Sequence, residues 1–349
     1  EGLLRALEEA LAAAVVETVL RVEVVDPTGA EVEEQVLLYE AGTGQKVSYY
    51  GTWQNNVVPP GTYDLEVFTL PRILYPDLEL PEGSTTVVRI VQGSLSVMTP
   101  DGQHTAAVYY DAGSDSDLGS RGHEAPVVLV PGTYQVQVNN SLSAPVPVGA
   151  GEAVEVVLGT ILVLSPDGER EAAVFWDAAT DQRLGSYGHG HEEPAMFVPG
   201  AYQVGVNESW SEPITLAAGQ TVEVILGGIK VLSLDGEPVA AVFWDAATDK
   251  RLGSYGHDRL AMFVPGTYIV DMQKSYTEPI SLGPGQTVEV QLGAVHVDGG
   301  FTIWDAEGNR LGGYSDTMLL VPGTYKLELD DGTVVEEVVV EAGQVTEVK

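Results

Sequence analysis

The sequence predicts an all-β protein made of five tandem small antiparallel β-sandwich modules in a rod-like array, preceded by one N-terminal amphipathic helix. One stretch occurs twice almost unchanged, because 172–189 reads AAVFWDAATDQRLGSYGH and 240–257 reads AAVFWDAATDKRLGSYGH. Elsewhere apolar and polar residues alternate, as at Val136 and Val138, which is typical of a strand with one face in a core. Self-similarity of this kind is the sequence signature of a repeat protein.

A short motif, Pro-Gly followed by Thr or Ala and then Tyr, sets the register of the modules. Its glycines are Gly61, Gly132, Gly200, Gly266 and Gly323, so successive copies are 71, 68, 66 and 57 residues apart. We therefore place the modules at 20–93, 94–159, 160–228, 229–294 and 295–349. Only one or two small residues join each module to the next, and such short junctions favour a stack with restricted bending.

The first residues form a separate element before the modules. Apolar residues at helical spacing among alanines predict an amphipathic helix over 1–19: Leu3, Leu4, Leu7, Leu11 and Val15. The chain carries no signal-peptide pattern and does not begin with Met, so we expect a mature or excised piece of a longer protein.

Composition narrows the classes of partner. The chain carries 51 acidic and 16 basic residues, a net charge of −35, and it has no cysteine. Nucleic acid and anionic membranes would be repelled by this charge, so we expect neither as a partner. Acidity of this degree is typical of a solubilising surface and also of a cation-binding or high-salt protein. No apolar run approaches the roughly 20 residues that span a bilayer.

Two motifs resemble those of a known family. The Val-Pro-Gly-Thr-Tyr strand junction and the closing strand Gly-Gln-Thr-Val-Glu-Val at 219–224 are similar to PEGA and carboxypeptidase-regulatory-like (prealbumin-like) bacterial β-sandwich repeats, over 20–349. The helix at 1–19 resembles the last helix of a von Willebrand factor A domain, although the Asp-x-Ser-x-Ser metal motif of that family does not occur. The resemblance implies a bacterial protein of the cell surface or extracellular space.

Aromatic and histidine residues near the repeated hairpin are candidates for ligand binding. Phe175 and Trp176 must face opposite sides of the sheet, so one of them should be partly exposed and could stack on a polysaccharide. The alternative is packing in the core or at a module junction. His189-Gly190-His191 could bind a transition metal or act as a pH switch, or its imidazoles could simply bond nearby loop groups. The candidate ligand-binding residues are Trp176, Tyr187, His189, His191, Trp244, Tyr255 and His257.

Aspartates spaced i, i+4 recur in the same hairpin, as at Asp177 and Asp181. Two carboxylates and nearby carbonyls could begin a calcium site, but Asp is also a turn residue that bonds its own backbone and tolerates left-handed geometry. We expect the turn role and no cofactor. The metal candidates are Asp111, Asp115 and Asp117, where the spacing comes nearest to a calcium loop.

The sequence predicts a non-enzymatic, structural role. It contains no Gly-x-Ser-x-Gly elbow, phosphate loop, His-Glu-x-x-His or cysteine nucleophile, and its candidate groups recur in near-identical copies rather than in one constellation. We expect a stalk or filament segment at the cell surface or in the extracellular space, with protein partners or self-association. The alternative is a polysaccharide- or partner-binding array that uses the Trp/Tyr/His loop face.

Overall fold

A computed structural model describes residues 17–187, 194–257 and 260–349. Every regular element in these residues is a β-strand, so the predicted all-β class is confirmed. Most of the predicted helix, 1–16, lies outside the described residues. Its predicted end is wrong, because Glu17 and Thr18 are not helical and the first strand already begins at Val19, which pairs with Val57 and Thr85.

The strands recur in a repeated order of sheets, and we use first to fifth repeat for the predicted modules. The first repeat contains β1 (Val19–Val25), β2 (Gln35–Glu40), β3 (Lys46–Gly51), β4 (Asn55–Val57), β5 (Gly61–Val67), β6 (Ile73–Leu80) and β7 (Thr85–Val91). These strands form a three-stranded sheet, β4-β1-β7, and a four-stranded sheet, β3-β2-β5-β6.

In each of the next three repeats, two short strands take the place of the single strand β6. The second contains β8 (Gly93–Met98), β9 (Ala107–Asp111), β10 (Ser116–Arg121), β11 (Val127–Leu129), β12 (Gly132–Val138), β13 (Ser141–Leu142), β14 (Val146–Val148) and β15 (Ala153–Val157). The third contains β16 (Gly159–Leu164), β17 (Ala173–Asp177), β18 (Gln182–Tyr187), β19 (Ala195–Phe197), β20 (Gly200–Val206), β21 (Ser209–Trp210), β22 (Ile214–Leu216) and β23 (Thr221–Ile225). The fourth contains β24 (Gly227–Leu232), β25 (Ala241–Asp245), β26 (Lys250–Tyr255), β27 (Ala261–Phe263), β28 (Gly266–Met272), β29 (Ser275–Tyr276), β30 (Ile280–Leu282) and β31 (Thr287–Gln291).

Each of these three repeats pairs a small sheet with a larger one. The small sheets are β11-β8-β15, β19-β16-β23 and β27-β24-β31. The larger sheets are β10-β9-β12-β13, β18-β17-β20-β21 and β26-β25-β28-β29, joined by β14, β22 and β30 respectively.

In the last repeat the two layers are continuous. It contains β32 (Gly293–Trp304), β33 (Arg310–Leu320), β34 (Gly323–Leu329), β35 (Val334–Val340) and β36 (Val345–Val348), in the order β33-β32-β34-β35 with β36 also on β32. The register of β32 against β33 shifts between Val297 and Gly300, and Gly299 has a φ of +130°. This irregularity lets one long strand serve both layers.

The prediction of antiparallel modules is wrong in one respect. The first and last strands of each repeat run parallel, as β1 does beside β7 and β8 beside β15. The same parallel pairing joins β16 to β23, β24 to β31 and β32 to β36. The chain forms the whole larger sheet between these two strands, which provides the long crossover that parallel neighbours need.

The tyrosine of the Pro-Gly-x-Tyr motif anchors each core, as the sequence predicts. The exposed fraction is 1% for Tyr134, 1% for Tyr202, 2% for Tyr268 and 5% for Tyr325. The hydroxyl of Tyr134 donates to the carbonyl of Val130 at 2.6 Å, and that of Tyr268 donates to the carbonyl of Val264 at 2.5 Å. The ring therefore fills the core while its polar atom is satisfied at the turn before it.

The chain divides into two compact units. Unit 1 holds the described residues up to Gly159 with Met196–Pro199 and Ala217–Gln220, and unit 2 holds the other described residues from Thr160 onward. No helix in the described ranges is long and apolar enough to cross a membrane. The number of modules, their boundaries and the rod-like array stay predictions.

Candidate functional site

Strand alternation places the repeated tryptophans on the outer face of the larger sheets. Phe175 is 1% exposed and belongs to the core side of β17, whereas Trp176 is half-buried on the other side. Phe243 and Trp244 repeat this arrangement on β25. The prediction that the two aromatic residues face opposite sides is thus confirmed. The indole Nε1 atoms of Trp176 and Trp244 are buried without a hydrogen-bond partner, so packing alone orients these rings.

The candidate tyrosines do not share that outer face. Tyr187 pairs with the buried Ala173, and its ring packs 5.8 Å from that of Phe175. Tyr255 packs on Phe243 at 6.3 Å and donates its hydroxyl to the carbonyl of Leu252 at 3.0 Å. Burial raises the pKa of both phenols. Both tyrosines are therefore edge members of the core, and the structure does not bring them beside the tryptophans.

Only one of the three candidate histidines lies among the described residues. His189 and His191 lie outside the described residues. His257 is exposed at the end of the fourth repeat's hairpin.

The structure adds an aromatic residue that the sequence reasoning missed. Trp210 is 38% exposed on β21, and its ring centroid lies 5.8 Å from that of Trp176 at an interplanar angle of 87°. It pairs with Gly205, where an added Cβ would lie 2.4, 2.5 and 2.7 Å from three atoms of its benzene ring. Three nearly equal distances mean that the ring covers the glycine face-on. The sequence signal for this contact was Gly205, because a glycine within an otherwise alternating strand often marks a place where another group approaches the backbone closely.

The aspartate hairpins have the geometry of turns. Asp177 Oδ1 accepts hydrogen bonds from the backbone N–H groups of Ala179 and Thr180, at 2.9 and 3.0 Å. Asp181, four residues later, has a φ of +56°, the left-handed conformation that Asp tolerates. These contacts match the turn role expected from the sequence.

The three metal candidates lie in the equivalent hairpin of the second repeat. Asp111 accepts from the N–H of Gly113 at 2.9 Å and from the hydroxyl of Ser114 at 2.8 Å, and Asp117 accepts from the N–H of Gly119 at 2.7 Å. Asp115 has a φ of +54°. Among the described residues no three acidic or histidine side chains are grouped so that they could hold a metal ion. That these hairpins bind no calcium stays a prediction.

A second recurring feature is a buried serine that joins one repeat to the next. In unit 2, the hydroxyl of Ser209 donates to the carbonyl of Val206 at 2.6 Å and accepts from the N–H of Val264, in the following repeat, at 3.1 Å. The pattern recurs at Ser275, which donates to Met272 at 2.6 Å and accepts from Val321 at 3.0 Å.

Unit 1 contains the same contact. Ser141 donates to Val138 at 2.6 Å and accepts from the N–H of Val198 at 3.2 Å. The three serines are 0%, 1% and 2% exposed, in chain order Ser141, Ser209 and Ser275. We call these three contacts the serine junctions.

Local sequence explains why the serine reaches the next repeat. A two-residue turn with positive φ at both positions precedes each serine, for example +49° at Asn207 and +62° at Glu208. This is the twist of a tight hairpin, and it brings the serine to the end of the sheet. Asn207 also donates through Nδ2 to the carbonyl of Met262 at 2.9 Å, as Asn139 does to Met196 in unit 1.

Backbone groups complete each serine junction. The carbonyl of Leu226 accepts from the N–H of Gly285 at 3.0 Å, and that of Leu292 accepts from Gly343 at 2.8 Å. Val321 of the fifth repeat also packs in the hydrophobic core of the fourth. Apolar burial and hydrogen bonds therefore act together at the same place.

Comparisons with known proteins give no family. No protein-family model matches the chain, and no curated protein matches it. Among solved structures it is similar to the Bacillus anthracis TIE protein (14% identity, 90% of this chain and 68% of that one covered, TM-score 0.16). A second match is the N-terminal four Ig domains of Dscam1 isoform 4.44 (8% identity, 95% of this chain and 98% of that one covered, TM-score 0.12). A third is the Bacteroides ovatus SGBP-B protein of a mixed-linkage glucan utilization locus, in complex with a mixed-linkage heptasaccharide (10% identity, 76% of this chain and 96% of that one covered, TM-score 0.10). TM-scores this low support no inference about this chain, so the resemblance to PEGA, prealbumin-like and von Willebrand-type proteins stays a prediction.

Proposed function

We propose that the chain is a structural protein of the bacterial cell surface or extracellular space, a stalk or filament segment with coupled repeats. The observation that carries this proposal is the serine junction, in which a buried hydroxyl of one repeat satisfies a buried backbone N–H of the next. A flexible string of independent domains would leave such groups to water. Buried contacts that recur between neighbours instead suit a protein that keeps its repeats in fixed register.

The backbone N–H of Val264 depends on the serine junction for its hydrogen bond. Val264 is 2% exposed, so its N–H has no access to bulk water and depends on the Ser209 hydroxyl. Leaving such a donor unsatisfied costs about 1–3 kcal/mol. Opening the contact at Ser275 also exposes apolar residues such as Val321, which packs in the core of the fourth repeat and is 4% exposed. Each junction therefore adds an interface term to the stability of the two repeats that it joins.

The remaining parts of the proposal follow from charge and repetition. A net charge of −35 favours solubility and argues against nucleic acid and anionic membranes as partners. A stalk needs attachment points, so we propose protein partners or self-association. We propose no enzymatic activity, because the repeated groups hold turns and cores.

Single-molecule stretching of the intact chain tests the structural role. A load-bearing stalk should resist force and then extend in discrete steps, each of roughly 200 Å for a repeat of this size. Ser209→Ala should lower the force of the steps that involve its junction. The matched control is Ser254→Ala, which changes an exposed serine on β26 of the fourth repeat and should leave the forces unchanged. Smooth extension without steps would contradict the proposal.

A further inference from the structure

We propose that Trp210 and Trp176 form a binding site for a neutral polysaccharide on the outer face of the third repeat. The site consists of two indole rings at right angles, one lying on the strand backbone and one beside it. This inference does not rest on the structural role, since the two tryptophans take no part in the serine junctions.

The orientation of Trp210 is what makes the surface suitable for stacking. Its benzene ring covers Gly205 face-on, so one ring face lies on the backbone of β20 and the opposite face points away from the sheet. A ring that lay on a side chain could move with it, whereas a strand backbone gives a fixed support. Gly205 is itself buried beneath the ring. The 38% exposure of Trp210 is therefore exposure of a flat, held aromatic surface.

The second and fourth repeats lack this pair of residues. The position of Gly205 is taken by Gln137 in the second repeat and by Asp271 in the fourth, and each pairs with the residue that replaces Trp210. Those replacements are Leu142 and Tyr276. A Cβ at position 205 would meet the indole at 2.4 Å, so the tryptophan ring in this position requires a glycine beneath it. The third repeat therefore differs in holding its exposed ring flat on a glycine, whereas the exposed Leu142 and Tyr276 pair with residues that carry side chains.

Size and charge select the occupant. A stable protein partner usually buries about 1,200–2,000 Å² in total, far more than two indole rings provide. A pyranose ring presents a flat face of C–H groups that matches the electron-rich face of one indole. The net charge of −35 disfavours polyanionic glycans, so we commit to neutral ones.

Polar groups border the rings and suit sugar hydroxyls. Trp176 pairs with Arg183 on one neighbouring strand and with Gln203 on the other. Arg183 is exposed, and Gln203 is held in place by a hydrogen bond from its Nε2 to the carbonyl of Ser211 at 3.1 Å. Donors and acceptors beside an aromatic surface are the arrangement that fixes the orientation of a bound ligand.

The repeats supply the variants for a test by isothermal titration calorimetry of the intact chain. The probes are cellohexaose, laminarihexaose and xylohexaose, with hexagalacturonate as the anionic comparison. Trp210→Leu installs the residue of the second repeat and should weaken binding by about tenfold or more, because a stacked aromatic anchor is lost. Gly205→Gln should do the same by displacing the ring. Tyr276→Leu, the same change in the fourth repeat, should have no effect.

The outcomes separate the proposal from its rivals. Binding of at least one neutral hexasaccharide that both third-repeat variants weaken, with Tyr276→Leu unchanged and far-ultraviolet circular dichroism preserved, supports the site. No heat of binding with any neutral probe at millimolar concentration overturns it, as does binding that survives Trp210→Leu. Binding of hexagalacturonate alone also overturns it. A change in oligomeric state on Trp210→Leu, measured by sedimentation equilibrium, would assign the face to contact between copies and would likewise overturn it.

Discussion

The hydroxyl of Ser209 accepts a hydrogen bond from the backbone N–H of Val264, 55 residues further along the chain, at 3.1 Å. The same valine offers its carbonyl to the Tyr268 hydroxyl at 2.5 Å. A single valine therefore links the serine of one repeat to the core tyrosine of the next through its two backbone groups. The contact between the repeats and the core of the fourth repeat share this valine, so a mutation that disrupts one should also destabilise the other.

Truncation of the core tyrosine should destabilise its repeat strongly. Tyr268 is 2% exposed, so Tyr268→Ala should cost about 3–5 kcal/mol by leaving a cavity. Tyr268→Phe keeps the ring and loses one hydrogen bond, which predicts a cost of about 1 kcal/mol. Urea unfolding followed by tryptophan fluorescence measures both. Tyr276→Ala at a site 52% exposed is the control and should stay within about 0.5 kcal/mol of the parent.

Stability should fall in strong alkali because of the same tyrosines. Burial raises the pKa of Tyr268 from 10.0 to about 12, with Ser209 lowering it and the charge of Asp245 raising it, and burial likewise raises the pKa of Tyr325 to about 12. Since the folded-state pKa lies above the unfolded one, the contribution is complete below about pH 10 and is lost as the pH rises to about 12.

Urea unfolding at several alkaline pH values tests this dependence. The slope between about pH 10 and 12 should approach 1.4 kcal/mol per pH unit for each such phenol. It should be shallower in Tyr268→Phe, which has no phenol to ionise at that position. An equal slope in the parent and the variant would show that other groups cause the alkaline loss.

The hairpin aspartates should contribute to stability through their turn. Asp245 Oδ1 accepts from the N–H groups of Ala247 and Thr248, at 2.8 and 3.3 Å. Asp245→Ala removes both hydrogen bonds and should cost about 0.5–1.5 kcal/mol. Asp245→Asn keeps the acceptor oxygen and should cost less. Thermal melts of the two variants compare these effects, and equal losses would mean that the carboxylate charge matters more than the turn.

Chelation should leave the melting temperature unchanged. A cation bound only to the folded state would stabilise it by mass action, so its removal would lower the melting temperature. The carboxylate of Asp177 instead accepts from two backbone N–H groups of its own turn. The check is a melt with added chelator and then with excess calcium. A reversible shift of several degrees would contradict the turn role, and Asp115→Asn in the second repeat would then identify that hairpin as the source.

Local sequence patterns predicted the features that depend only on residues close together in the sequence. Alternation predicted that Phe175 and Trp176 face opposite sides of the sheet, and the Pro-Gly-x-Tyr motif located buried tyrosines such as Tyr134. Turn chemistry predicted the left-handed conformation of Asp181. In each case a residue type at a fixed spacing determines the conformation of its own segment.

Contacts between distant segments were not predictable in this way. The parallel pairing of β1 with β7 depends on where the chain returns after forming a whole sheet. In the sequence, the serine of a serine junction looks like an ordinary turn residue, because its partner valine lies in the following repeat. Trp210 differs from its counterparts only when Gly205 is seen beneath it. Tertiary neighbours, rather than local preference, determine these features.

Differential scanning calorimetry of the intact chain with Ser141, Ser209 and Ser275 all changed to alanine tests the coupling of repeats most directly. Each change leaves a buried valine N–H without its acceptor, so the triple variant should melt at a lower temperature and over a broader or divided transition. A control variant, Ser254→Ala, should reproduce the parent. A triple variant whose melting temperature and transition width equal those of the parent would show that the serine junctions do not couple the repeats, and the proposed structural role would lose its basis.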